Sequence, residues 1–195
     1  MEQIAILASG RGSNADRLCQ LFKQHPSARI RLIACDQETA GVYDIAREHK
    51  VRAIHLNLEL RKNPVALLKL LQDEGITFIV LAGYLRLLPS TIVHAYPKRI
   101  INLHPALLPK FGGKGMHGMH VHEAVHASKE KETGITIHYV NEKYDEGAII
   151  AQYKVALNSS DTPQQIAGKI AELEAKYFPL CVEEVIQKLK LDARC

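Results

Sequence analysis

The chain has 195 residues, nearer to one domain of roughly 150 residues than to two, which excludes a large multidomain machine and leaves enough chain to bury a core without metal or disulfide support. Its 25 Lys and Arg against 21 Asp and Glu leave a net charge of +4, with the basic residues scattered as pairs such as Lys98-Arg99, so nucleic-acid binding gets no support. Cys19, Cys35, Cys181 and Cys195 form no C-x-x-C pair, and the first apolar run, residues 4–8, is shorter than a signal peptide's apolar stretch and far short of the ~20 residues of a membrane span. Reduced thiols, a cytoplasmic location and no membrane association are therefore expected.

In chain order, β-rich apolar runs over residues 4–8, 30–35, 53–56, 78–82 and 100–103 predict strands. Between them, residues 14–23, 41–49 and 64–73 carry the three-to-four spacing of amphipathic helices, with Leu67, Leu68, Leu70 and Leu71 as the strongest stripe and Pro64 at a first-turn position. Strands alternating with helices imply βαβ units and a parallel sheet. After Leu103 the texture changes: Pro105, Pro109 and six glycines from Gly112 to Gly147 mark irregular chain of the kind that carries functional loops. Residues 133–140 and 149–157 alternate as strands, and residues 162–189 read as a long helix bent or broken at Pro179. The expected architecture is a Rossmann-like α/β fold, a mostly parallel sheet with helices on both faces and a C-terminal antiparallel extension. It forms a single domain over 1–195, with a phosphate-binding half over 1–100 and a catalytic half over 101–195.

The first strand runs into Ser9-Gly10-Arg11-Gly12-Ser13-Asn14 and then a helix. Free backbone N–H groups and the positive end of the helix should make this junction an anion site. Gly10-x-Gly12-x-x-Ala15 also fits a dinucleotide fingerprint, with Asp36 where a ribose-binding acid belongs, so a nicotinamide oxidoreductase stays open. Ser13 and Asn14 add side-chain donors that suit a terminal monophosphate. A glycine turn that merely joins strand to helix is the plainer reading.

Six of the ten histidines fall between His104 and His138. His117, His120, His122 and Glu123 are ligand types that zinc accepts, but only His122 and His126 have the i, i+4 spacing that points two ligands one way on a helix. No metal is expected. His104 differs because it ends a strand at the edge where parallel sheets bind ligands, and alternation places Asn102 on its side. An amide donor and an imidazole together can stabilise an oxyanion and move a proton, the two tasks of acyl transfer to an amine. Asp145, in the turn Tyr144-Asp145-Glu146-Gly147, could raise the histidine's pKa if it comes close. A hydrogen-bonded structural histidine and an ordinary turn are the competing readings.

Together these stretches resemble the glycinamide ribonucleotide formyltransferases, folate-dependent enzymes of purine synthesis. The likeness runs from residues 4–14 through Asn102-Leu103-His104-Pro105-Ala106-Leu107-Leu108-Pro109-Lys110, Gly118-Met119-His120-Val121-His122 and Gly134-Ile135-Thr136-Ile137-His138 to Tyr177-Phe178-Pro179. The resemblance implies formyl transfer from 10-formyltetrahydrofolate to the amino group of glycinamide ribonucleotide, by a monomer or homodimer without metal. It implies Asn102, His104 and Asp145 as catalytic residues, Gly12, Ser13 and Asn14 as the phosphate turn, and Glu174 as a substrate-binding carboxylate. It further implies a pterin site along Leu85, Arg86, Leu87 and Leu88, with Asn102, Asn141, Glu142, Lys143 and Tyr144, and Arg61 near the folate tail. Three positions depart from the pattern: Ala106 for a common serine, Gly112 for a usual proline, and Ala175 for a frequent histidine. The tRNA-formylating and formylfolate-hydrolysing relatives share the catalytic module, and their additional domains do not fit within this length.

Overall fold

The computed structural model describes residues 1–192. Elements follow in the order β1 (Glu2–Ala8), α1 (Ser13–Phe22), β2 (Ala28–Cys35), α2 (Val42–Glu48), β3 (Arg52–His55), α3 (Leu58–Lys62), α4 (Pro64–Asp73), β4 (Phe78–Leu81) and α5 (Ser90–Ala95). The second half continues with β5 (Ile100–His104), α6 (Met119–Ala127), β6 (Glu132–Tyr139), β7 (Ile149–Ala156) and α7 (Pro163–Asp192). One seven-stranded sheet has the order β3-β2-β1-β4-β5-β6-β7. The first five of these neighbours pair in parallel, and β6 and β7 extend the sheet antiparallel.

Alternation along β1 explains the two-sided core. Ile4, Ile6 and Ala8 face a cluster with Leu18 and Phe22 of α1 and Phe178 and Val182 of α7, whereas Ala5 and Leu7 face one with Leu67 and Leu71 of α4 and Ile92 of α5. Both faces are covered, so the central strands are apolar throughout rather than alternating. Side-chain caps mark the helices that open the α3–α4 stretch: Asn57 accepts from the Leu60 amide and Asn63 from the Ala66 amide, the latter just before Pro64.

The expected long helix is present, and of the bend or break expected at Pro179 the break is absent. α7 runs unbroken through Pro179. Proline withdraws one amide donor, but Phe178, Pro179, Cys181 and Val182 are buried around it, and that packing holds the helix in one piece. α3, α5 and α6, which the spacing did not single out as elements, are short, at five, six and nine residues. Cys19, Cys35 and Cys181 are free and buried, and burial pushes the Cys19 thiol up to about 12 and Cys181 to about 11. Cys195 lies outside the described residues. No helix among the described residues is long and apolar enough to cross a membrane.

Candidate active site

β1 connects outward to β2 on one side, and β4 lies on its other side, so the strand order reverses between β1 and β4. In open α/β sheets ligands bind at such a reversal, beyond the carboxyl ends of the strands. A cleft of about 640 Å³ opens there. It is lined by residues 9–14, 81–88, 102–105 and 113–118, by His122 and His138, by residues 143–145 and by Glu174.

One wall is the turn between β1 and α1. Gly12 adopts φ +87°, and a Cβ on it would lie 2.8 to 2.9 Å from the side chain and Cα of Val42, so only glycine lets α2 pack this closely against the turn. No side chain caps α1, which leaves its first-turn amides open to the cleft. Asn14, the second residue of α1, lines the cleft. It donates to Glu174 Oε2 at 2.9 Å and accepts from Arg17, which brings two predicted substrate residues together across 160 positions of chain. Burial pushes the Glu174 carboxyl up, opposed by the Asn14 amide and the Arg17 charge.

The opposite end of the cleft holds the predicted trio. Asn102 and His104 project from the end of β5, and Asp145 reaches both: its Oδ1 lies 3.4 Å from Asn102 Nδ2 and its Oδ2 3.5 Å from His104 Nδ1. Asp145 sits at φ +56°, a left-handed position that aspartate tolerates better than most residues. His104 Nε2 donates to the Phe111 carbonyl at 2.8 Å, and the Gly113 amide donates to Asp145 Oδ2 at 2.9 Å. The segment that follows Lys110 therefore folds back onto the pair. Gly112 permits this: a Cβ there would meet Leu108 Cδ2 at 2.5 Å and Asp145 Cβ at 3.2 Å.

Sequence reasoning gave no role to His138, which completes the cluster. In the antiparallel register of β5 and β6, His138 stands opposite Asn102 and Thr136 opposite His104. His138 Nδ1 donates to the Tyr139 carbonyl at 2.8 Å, leaving Nε2 to accept from Asn102 Nδ2 at 3.1 Å, with Asp145 Oδ1 3.6 Å away. The alternation of Thr136 and His138 carried this signal, and only the strand pairing could use it. Thr136, fully buried, accepts from the Leu108 amide and donates to the Ala106 carbonyl, fixing the chain just after His104. His122 also faces the cleft, with a buried Nδ1 that has no partner among the described residues.

The electrostatics correct one expectation. Asp145 does favour the charged imidazole, but burial of His104 outweighs it, and His138 adds to the same side; the His104 pKa falls below its ordinary value. Burial opposes ionisation of Asp145 more than any other single influence. The neighbouring His138 ring, the His104 charge and the Gly113 amide together still hold its carboxyl below the usual range. The resting pair at neutral pH is thus a neutral imidazole beside a carboxylate.

The predicted pterin residues divide. Leu85 and Leu87 line the cleft and are 43% and 42% exposed, Leu88 is buried at its edge, and Lys143 and Tyr144 complete that wall. The Leu87 amide donates to the Tyr144 hydroxyl at 3.0 Å. Asn141, Glu142 and Arg61 lie outside the lining. Asn141 accepts from the Lys143 amide to close the turn, Glu142 pairs with His94 at the surface, and Arg61 sits on α3 with its Nε donating to the Asn57 carbonyl. Asp36 is 5% exposed and already accepts from Ser9, Gln37 and Arg86, so it is not free to take ribose hydroxyls as the dinucleotide reading requires.

The sequence profile described as formyl transferase matches residues 2–182. A chloroplastic phosphoribosylglycinamide formyltransferase of Arabidopsis thaliana is 37% identical over 91% of the chain, which spans 63% of that protein's length. A Vigna unguiculata protein of the same name is likewise spanned over 62% of its length. The phosphoribosylglycinamide formyltransferase of Bacillus subtilis is 33% identical, with 95% of each chain covered. The crystal structure of the phosphoribosylglycinamide formyltransferase of Bacillus halodurans superposes with a TM-score of 0.86 at 34% identity, covering 96% of this chain and 97% of that one. With a profile match across nearly the whole sequence and these neighbours in both sequence and fold, the chain belongs to the formyl transferase family.

Proposed function

We propose that this protein, acting as one domain, transfers the formyl group of 10-formyltetrahydrofolate to the amino group of glycinamide ribonucleotide, releasing tetrahydrofolate. One observation carries the reading beyond family membership: a single cleft joins an uncapped helix start that suits a phosphate to an amide, imidazole and carboxylate cluster that suits acyl transfer. The names of the relatives support phosphoribosylglycinamide as the formyl acceptor.

In this reading the phosphate rests on the amides of Gly12, Ser13 and Asn14, and Glu174 takes polar groups of the ribonucleotide. The pterin lies along residues 85–88 and 143–144, where backbone groups read its edge. The glycinamide nitrogen attacks the formyl carbon, giving a tetrahedral oxyanion. Asn102 donates to that oxygen, which displaces Asp145 from the longer of the amide's two bonds. Neutral His104 accepts the proton of the attacking amine and returns it to the folate nitrogen as the carbon–nitrogen bond breaks. Asp145 stabilises the imidazolium during that passage. To accept that proton at Nε2, which here carries its hydrogen toward the Phe111 carbonyl, His104 must leave that carbonyl and hold its own hydrogen on Nδ1, facing Asp145. Holding both reactants in one cleft supplies much of the acceleration, since effective molarities can reach ~10⁵ M or more.

The test is a spectrophotometric formyl-transfer assay with glycinamide ribonucleotide, water, or charged initiator tRNA as acceptor. Turnover with the ribonucleotide alone is expected. Folate release in water, or transfer to tRNA, would replace this reading with another member of the family.

A further inference from the structure

We propose that Ser9 and Asp36 are positioning residues that couple the two ligand-bearing walls of the cleft, so that a phosphorylated acceptor on one wall and a folate on the other strengthen each other's binding. The inference rests on the two-ligand reading above and adds residues to which that reading gives no task.

Asp36 follows the last residue of β2, and its side chain is 1% exposed. A carboxylate withdrawn from water in this way is unfavourable unless it is hydrogen-bonded and paired. Here the partners come from both walls. Ser9, the first residue of the phosphate turn, donates its hydroxyl to Asp36 Oδ1 at 2.5 Å. Arg86, in the wall proposed for the pterin, donates Nε to Oδ2, and Gln37 donates at 3.2 Å. With its single hydrogen committed to Asp36, the Ser9 oxygen accepts from the Leu85 amide at 3.2 Å. The Ser9 amide in turn donates to the Gly83 carbonyl at 3.0 Å.

Segment 83–86 is thus tied to the phosphate turn by the Ser9 backbone, by the Ser9 hydroxyl, and by Asp36 reaching the Arg86 side chain. Tyr144, beside Asp145, holds the next residue of the segment through the Leu87 amide. An alternative fixed only for folding would not need a buried charge that spans two walls. Ordering the turn around a phosphate fixes Ser9, which fixes the backbone at 83–86, and the transmission runs equally in reverse because coupling between two sites is reciprocal.

The experiment measures the Kd of a non-transferable folate analogue by calorimetry, with and without saturating glycinamide ribonucleotide. Wild type should bind the analogue about tenfold more tightly in the presence of the ribonucleotide, within the range typical of coupled sites. In Asp36→Ala the ratio should fall to within about twofold of unity, with KM for the formyl folate raised about tenfold and kcat changed less than about threefold, as expected when binding rather than chemistry is altered. Ser9→Ala should lose the same coupling, and Ser9→Thr, which keeps the hydroxyl, should retain it. Hydrogen exchange at residues 83–88 should slow on adding the ribonucleotide to wild type and not to Asp36→Ala. Should one alanine variant fail to fold, the other carries the test. Wild-type coupling retained in a folded variant, or formyl transfer by a wild type without coupling, overturns the inference and leaves the function intact. A wild type that binds neither ligand overturns both.

Discussion

The two ends of the cleft are made of different materials. At the parallel end, the proposed anion site consists of backbone amides at one strand-to-helix junction, and a single left-handed glycine shapes it. At the antiparallel end, the cluster proposed to move protons consists of side chains from β5, β6 and a turn more than 40 positions away from Asn102. A backbone site is contiguous in sequence and sensitive to anything that moves the main chain. A side-chain site is scattered and sensitive to single functional groups. The same cleft should therefore answer substitution in two distinct ways.

The largest effect is expected from His104→Ala. Turnover should fall by about 10³-fold, in the range for losing a general acid–base, while calorimetry still detects both ligands; near-normal turnover would remove the imidazole from the mechanism. Asp145→Asn should cost about 10²-fold in rate by the same reasoning. Asparagine tolerates the left-handed backbone, so the loss reports charge. Removing the negative neighbour should move the His104 titration, followed by NMR, further below its already lowered position, and an unchanged titration would break the proposed pairing.

At the other end, Gly12→Ala should weaken binding of the phosphorylated ligand by about tenfold and destabilise the fold by about 1–3 kcal/mol, because alanine is strained at φ +87° and crowds Val42. Ser13→Ala, which leaves the amide in place, should change that affinity less than about threefold. If Ser13→Ala proves as damaging as Gly12→Ala, the contrast between backbone and side-chain construction fails. The smallest effect concerns pH and stability. His104 and His122 both have folded pKa values depressed by burial, so the unfolded chain binds more protons as pH falls below the ordinary histidine range. Stability should decline from pH 7 toward pH 5, and His122→Gln should flatten that decline in thermal melts; an unchanged slope would show that His122 titrates alike in the folded and unfolded chain.

This contrast also decides what could be read from the sequence. The phosphate turn announced itself because strand, glycines and helix start are adjacent. Asn102 and His104 were legible as a pair through strand alternation alone. That Asp145 meets them, and that His138 faces Asn102, depend on a register between β5 and β6 that no local pattern encodes. Asn141, Glu142 and Arg61, placed by resemblance along the pterin and near the folate tail, lie outside the cleft lining, where Asn141 closes a turn, Glu142 pairs with His94 and Arg61 Nε donates to the Asn57 carbonyl. The rise expected for His104 failed for a related reason, since depth of burial is a property of the assembled fold.

α7 spans 30 residues, roughly 45 Å at the usual helical rise. It packs on α1, which begins at the phosphate turn, and on α6, β6 and β7 of the other half, with Glu174 hooked to Asn14. A rod fastened to both halves of a continuous sheet leaves no line about which the halves could swing apart like the lobes of a clamp. Admission and release of ligands must then be the business of short covering segments, residues 111–118 and 141–147, moving over a rigid floor. The two ends of the cleft thus share one floor, and the freedom to change shape is left to the loops that cover it.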